Sequence, residues 1–196
     1  MTFDLTPMPR LRRRPGPALA LTIALALVLS GSSSIAQDAF SEYKVKAAFL
    51  FNLPEFVSWP EGALPKDRMT FCIVGHDPFG EALEYFSGKQ VKSRLLRIER
   101  RLSSDSAEGC SVLFISGQET IEDQHFKPLV SEPAILTVGE ADDFTRRGGV
   151  VRFIRRGGKV GLEINLTAAH RNRIGLASEL LDLATLVRYP AQGGLP

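Results

Sequence analysis

The sequence predicts an α/β fold: one three-layer domain, a mostly parallel sheet with helices on both faces and an antiparallel hairpin near the C-terminus. Three observations predict it. The apolar run Met69–Val74 stops at Gly75, and Asp77-Pro78 then opens a helical pattern of Phe79, Ala82, Leu83 and Phe86 that ends at Gly88. Two further runs with almost no polar residue, 111–116 and 134–138, read as strands covered on both faces. Finally, 150–154 and 159–165 flank Arg155-Arg156-Gly157-Gly158, the signature of a β-hairpin.

Residues 1–36 stand outside that domain. Arg10, Arg12, Arg13 and Arg14 precede an uncharged run of 12 residues, Ala18–Leu29, which is short for a bilayer span. Small residues at Ser34 and Ala36 then suit signal-peptidase cleavage before Gln37, so 1–36 reads as a secretory signal. The mature chain has 160 residues, enough for one domain, with a loose tail at 191–196 after the domain of 37–190. The signal carries four arginines and Asp4, so its removal takes the net charge from +2 to −1 and withdraws support for general nucleic-acid binding.

Cys72 and Cys110 are the two cysteines. In an exported chain an even count favours a disulfide over a thiol nucleophile or a metal site, and the sequence holds no C-x-x-C. A doubly wound order places the strands bearing Cys72 and Cys110 side by side, with both cysteines near the strand starts, which suits a staple between them.

In chain order, 40–52 reads as a helix, with Val45, Ala48, Phe49 and Asn52 at 3–4 spacing, and Pro54 breaks it. Phe56, Val57 and Trp59 extend the apolar content to the turn at Pro60-Glu61-Gly62. The stretch 93–102, where Leu96 and Ile98 alternate with Arg97, Glu99 and Arg100, reads as an edge strand. A helix is expected over 118–130 with a break near Pro128, and a closing helical segment over 167–189, interrupted at Gly175, with the stripe Leu176, Leu180, Leu183, Ala184 and Val187.

Candidate chemistry is sparse. His76 and Asp77 occupy a loop at a strand's carboxyl end, where α/β sheets often bind ligands, but Asp77 is also explained as a cap and no phosphate-loop lysine follows Gly80. No G-x-S-x-G and no H-E-x-x-H occurs, so a regulator or binding module is expected rather than an enzyme, with no metal and no cofactor. Arg146, Arg147, Arg152, Arg155, Arg156 and Lys159 cluster about the hairpin, which suits either a solvated edge or a docking patch for an acidic partner. Phe56 and Trp59 are the aromatic alternative for a contact surface.

Four stretches in order resemble the YfiR-like family of exported bacterial proteins: Val45–Asn52 with Phe56-Val57 and Trp59-Pro60; Cys72 through Gly80; Cys110 through Ser116; and Leu136–Gly139 followed by Gly148-Gly149 and Leu162–Leu166. The resemblance implies a periplasmic regulator that represses an inner-membrane diguanylate cyclase by binding its periplasmic sensor domain. It further implies release by an outer-membrane-associated lipoprotein, control of cyclic-di-GMP and biofilm behaviour, a homodimer, and a disulfide at Cys72 and Cys110. The alternative is a periplasmic small-ligand sensor serving a membrane kinase or receptor.

Overall fold

A computed structural model of the protein describes residues 32–102, 105–117 and 121–189. The apolar run of the expected signal and the tail 191–196 lie outside these residues. The chain divides into two compact units, 1–40 and 41–196, and the sheet with its core belongs to the second.

Helix α1 spans Ser32–Asn52, and Pro54 converts its end into a 3-10 turn, Leu53–Phe56. Then come β1 (Val57–Ser58), β2 (Arg68–Val74), the single-turn α2 (Glu81–Glu84), β3 (Gln90–Val91), β4 (Arg94–Arg101) and β5 (Val112–Ile115). Next are α3 (Asp123–Ser131), β6 (Leu136–Gly139), β7 (Val151–Arg156), β8 (Lys159–Asn165) and α4 (Leu166–Arg171). The chain closes with β9 (Gly175–Leu176), α5 (Ser178–Asp182) and β10 (Thr185–Val187).

Eight strands form one sheet in the order β10-β8-β7-β6-β5-β2-β4-β3. The pairs along β8-β7 and β4-β3 are antiparallel and the remaining five are parallel. The first long strand, β2, thus has β4 on one side and β5 on the other, the doubly wound arrangement expected from the sequence. Strand pleating sorts the core. Phe71, Ile73, Phe114 and Val138 point to the face covered by α1 and the 3-10 turn. Cys72, Val74, Leu113 and Ile115 point to the other, where Phe126, Leu129 and Val130 of α3 cover them. Each such fully buried side chain contributes about 1.5–3 kcal/mol.

Cys72 and Cys110 are bonded, with their Cα atoms 5.8 Å apart. Their strands are the adjacent β2 and β5, and Ser111 N donates to Thr70 O at the same level. The hairpin runs further than its apolar residues suggested: Arg155 and Arg156 belong to β7, and only Gly157-Gly158 turn, both at positive φ as a two-residue loop requires.

Four expectations need correction. The segment 167–189 breaks at Gly175 as expected, but it is not helical on both sides: β9 pairs with β1, β10 pairs with β8, and two short helices, α4 and α5, fill the gaps. Helix α3 runs through Pro128 to Ser131, because Pro128 and Gln124 are exposed and the carbonyl it leaves unbonded faces water, while Phe126 and Leu129 are buried beneath. Asp77 does not cap α2 directly. Its Oδ1 accepts from Phe79 N at 2.8 Å and Gly80 N at 3.3 Å, closing a turn, and Gly80 at φ 50° is the residue before the helix. In α1 the residues buried against the sheet are Ala47 and Leu50, not the stripe of Val45, Ala48 and Phe49, which lies to one side.

Phe144 marks the tightest packing. A Cβ at Gly139 would lie 2.4 Å from its ring, and one at Gly149 would lie 2.0 Å away. This packing and the disulfide each give an expected outcome. Gly149→Ala should destabilise the domain by about 1–3 kcal/mol, the usual penalty of forcing atoms into a filled core, read as a lower midpoint in urea unfolding. Removing the bond that spans 38 residues, as Cys72→Ala with Cys110→Ala, should lower unfolding free energy by about 2–5 kcal/mol under non-reducing conditions. An unchanged midpoint would contradict a structural role.

Candidate functional site

The hairpin, α1 and α5 meet at one corner of the domain, and the polar contacts there fix their arrangement. Lys46, 7 % exposed, reaches Glu42 Oε1 at 2.8 Å and Glu140 Oε2 at 2.7 Å. Glu140 also accepts from the Tyr43 hydroxyl at 3.1 Å. On the other side of Glu42, Arg155 Nε donates to Oε2 at 2.8 Å. One carboxylate therefore links the helix to β7.

Charge decides the protonation of this cluster. Burial pushes the Glu42 carboxyl up, but the hydrogen bonds and positive charges of Lys46 and Arg155 outweigh it and hold the group below the ordinary glutamate value. Burial, reinforced by Glu140, pushes the Tyr43 hydroxyl well above its ordinary range, so it stays a donor.

Beside the cluster lies an apolar groove of about 660 Å³. Val45 and Phe49 of α1, Phe56 of the 3-10 turn, Leu162 of β8, Leu180 of α5 and Leu183 line it. Val45 is 43 % exposed and Leu183 is 77 % exposed. Lys44 and Asn52 stand on the lining, and its surface is otherwise nearly all carbon.

The structure separates the residues singled out from the sequence. Arg152 turns inward: it contacts Glu163 Oε1 at 3.1 Å and donates to Asp142 O at 2.7 Å, so it braces β7 against β8. Arg155 is held by Glu42. Arg156 and Lys159 are exposed, sit opposite each other at the hairpin end, and have no ion-pair partner among the described residues. Phe56 lines the groove, whereas Trp59 is not part of the lining and has its ring 6.0 Å from Lys92 Nζ. His76 is exposed beside Asp77, whose second oxygen takes Arg100 Nε at 2.9 Å, so both Asp77 oxygens are committed to structure. Among the described residues no group of three or more His, Cys, Asp or Glu is gathered in metal-binding fashion. Sequence reasoning missed Leu183 as a groove residue because it was assigned to the stripe of a helix that does not form.

The Glu42 carboxyl yields a pH dependence whose sign is fixed. Its folded pKa lies below the unfolded one, so the unfolded chain binds the extra proton. The resulting stability is complete above the ordinary glutamate pKa of about 4.3 and is lost as pH falls through the folded value. Glu42→Gln should therefore destabilise the domain by about 1–3 kcal/mol at pH 7, and urea unfolding should show wild type and variant converging below about pH 4. A gap that stays constant as the pH falls through the acid range would mean that packing, not charge, is the contribution.

No curated protein matches the chain. A family model does: residues 43–185 fit the model described as YfiR/HmsC-like, an interval that begins in α1, contains the disulfide and the hairpin, and ends at the first residue of β10. On that match, which covers well over half of the sequence, the chain belongs to the YfiR/HmsC-like family.

Proposed function

We propose that the protein is a periplasmic regulator that represses an inner-membrane diguanylate cyclase by binding that enzyme's periplasmic sensor domain. The family is one of periplasmic regulators of cyclic-di-GMP signalling and not of catalysts. Among the described residues no helix is long and apolar enough to cross a membrane. The observation that carries the reading is the corner built by α1, the hairpin and α5, where the exposed cations Arg156 and Lys159 stand beside an exposed apolar groove. Apolar contact supplies affinity there, and the cations raise the association rate with an acidic surface. The domain of 37–190 supplies this corner after cleavage of a signal at 1–36. Sequestration by an outer-membrane lipoprotein, and a homodimer, complete the proposal.

The second reading is a small-ligand sensor for a membrane kinase or receptor. The groove's volume favours it, because 660 Å³ falls within the range of ligand pockets. The loop of His76 and Asp77 adds little to it, since Asp77 is already engaged by Phe79 N and Arg100.

The structure selects which charges to reverse. Arg155→Glu would set a second carboxylate against Glu42 and disturb the fold, so Arg156 and Lys159 are the informative pair. Arg156→Glu with Lys159→Glu should leave the unfolding midpoint within about 0.5 kcal/mol of wild type, as exposed substitutions do, and should raise cellular cyclic-di-GMP because repression is released. If that variant represses fully while Trp59→Ala abolishes repression without unfolding, the contact surface lies at the Trp59 segment instead.

A further inference from the structure

Strand β8 has two partners of unequal length. β7 pairs with it from Lys159 to Ile164, but β10 pairs only with Glu163, Ile164 and Asn165. The two-residue loop makes Arg156 and Lys159 a hydrogen-bonded pair, so antiparallel alternation turns the backbone N–H and C=O of Val160 and Leu162 away from β7. The next outward position, Ile164, is the one that β10 covers, opposite Leu186. The parallel register that sets Thr185 opposite Glu163 also brings the Thr185 N–H to the Leu162 carbonyl, so the outward groups that no strand pairs, among the described residues, are the Val160 N–H and C=O and the Leu162 N–H. This short open edge, about 7 Å along the strand, borders the apolar groove, whose lining includes Val160 and Leu162.

An open edge and an adjoining apolar groove are the two halves of a strand-addition site: main-chain bonds give affinity, and every second side chain of the added strand enters the groove. We infer that the outer edge of β8 at Lys159–Leu162 takes an extended segment of a protein partner in which apolar and acidic residues alternate. Charge specifies the acidic part. Arg156 and Lys159 are exposed at one end of the edge without counter-charges among the described residues. A second copy fits the edge poorly: two-fold antiparallel pairing over Lys159–Leu162 would set Lys159 opposite an apolar Leu162 and not an acidic residue, and β10 would obstruct any longer register. The inference rests on the reading that the chain works by binding another protein, and it adds the mode of recognition.

Random twelve-residue peptides displayed on phage, selected on the wild-type protein, provide the test. Val160→Pro removes an outward donor while sparing the β7 ladder, and Leu183→Glu places a charge at the groove's exposed wall. Selected peptides should alternate apolar and acidic residues, bind purified wild type, and bind each variant at least tenfold more weakly. Hydrogen exchange should show the Val160 and Leu162 amides slowed by peptide. Failure to enrich any peptide, or peptides that bind both variants within twofold of wild type, would overturn the inference. So would a wild-type dimer in sedimentation that Val160→Pro converts to monomer, since the edge would then belong to a second copy. Should Val160→Pro not fold, Leu183→Glu still decides, because that side chain is 77 % exposed. The regulator reading fails separately, through cyclic-di-GMP levels that do not respond to loss of the protein.

Discussion

The buried ammonium of Lys46 is the interaction on which the rest of this corner depends. Helix α1 offers two neighbouring apolar faces, one with Ala47 and Leu50 and one with Val45 and Phe49, and hydrophobic burial alone does not choose between them. Lys46 chooses. Its contact with Glu140 is made with Ala47 and Leu50 against the sheet, and Val45 and Phe49 are then left beside β8. Isolated buried ion pairs often add little net stability, because desolvating the charges offsets their attraction. Here the long-range pair acts through selection: the alternative rotation of α1 would part Lys46 from Glu140 and leave a buried charge under-compensated, a loss on the order of several kcal/mol.

From that selection the corner with the apolar groove emerges. Once α1 is fixed, the groove exists because β8 presents Val160 and Leu162 to one side of it and α5 closes the end with Leu180. Glu42 connects the groove to the hairpin, since it accepts from Lys46 within the helix and from Arg155 on β7. Apolar surface, open strand edge and positive charge are thereby held on rigid elements, not on loops, which limits the entropy lost when a partner binds. The disulfide and the Phe144 cluster lie on the opposite face, with α3. They stabilise the sheet that carries the corner but take no part in its surface.

Membership of the YfiR/HmsC-like family and the physical reading of the surface are independent lines. The match at 43–185 speaks of ancestry. The groove, the open edge and the exposed cations speak of what the folded chain can bind. A catalytic site needs groups held ready for proton transfer or nucleophilic attack. At this corner the ionisable groups are instead mutually neutralised, as with Lys46, Glu42 and Glu140, or displayed to solvent, as with Arg156 and Lys159.

By itself the sequence determined the alternation of strand and helix, the central strands, the hairpin and the break after α1, because each is written in short-range chemistry. Buried strands are uniformly apolar, Gly157-Gly158 accepts positive φ, and Pro54 ends a helix. The neighbouring positions of Cys72 and Cys110 came from a topological rule and from their place at the strand starts. What lay beyond the sequence has one physical cause: the decisive partners are distant in the chain. Leu176 and Val187 fit a helical stripe, yet β1 and β8 capture them as strands by long-range backbone pairing that no local window contains. Val45 and Phe49 look like core, yet Lys46 finds Glu140, 94 residues away, and turns them outward. Only the tertiary structure, by pairing half of β8 and leaving the other half open beside α1, decided where this protein has a surface suited to a partner.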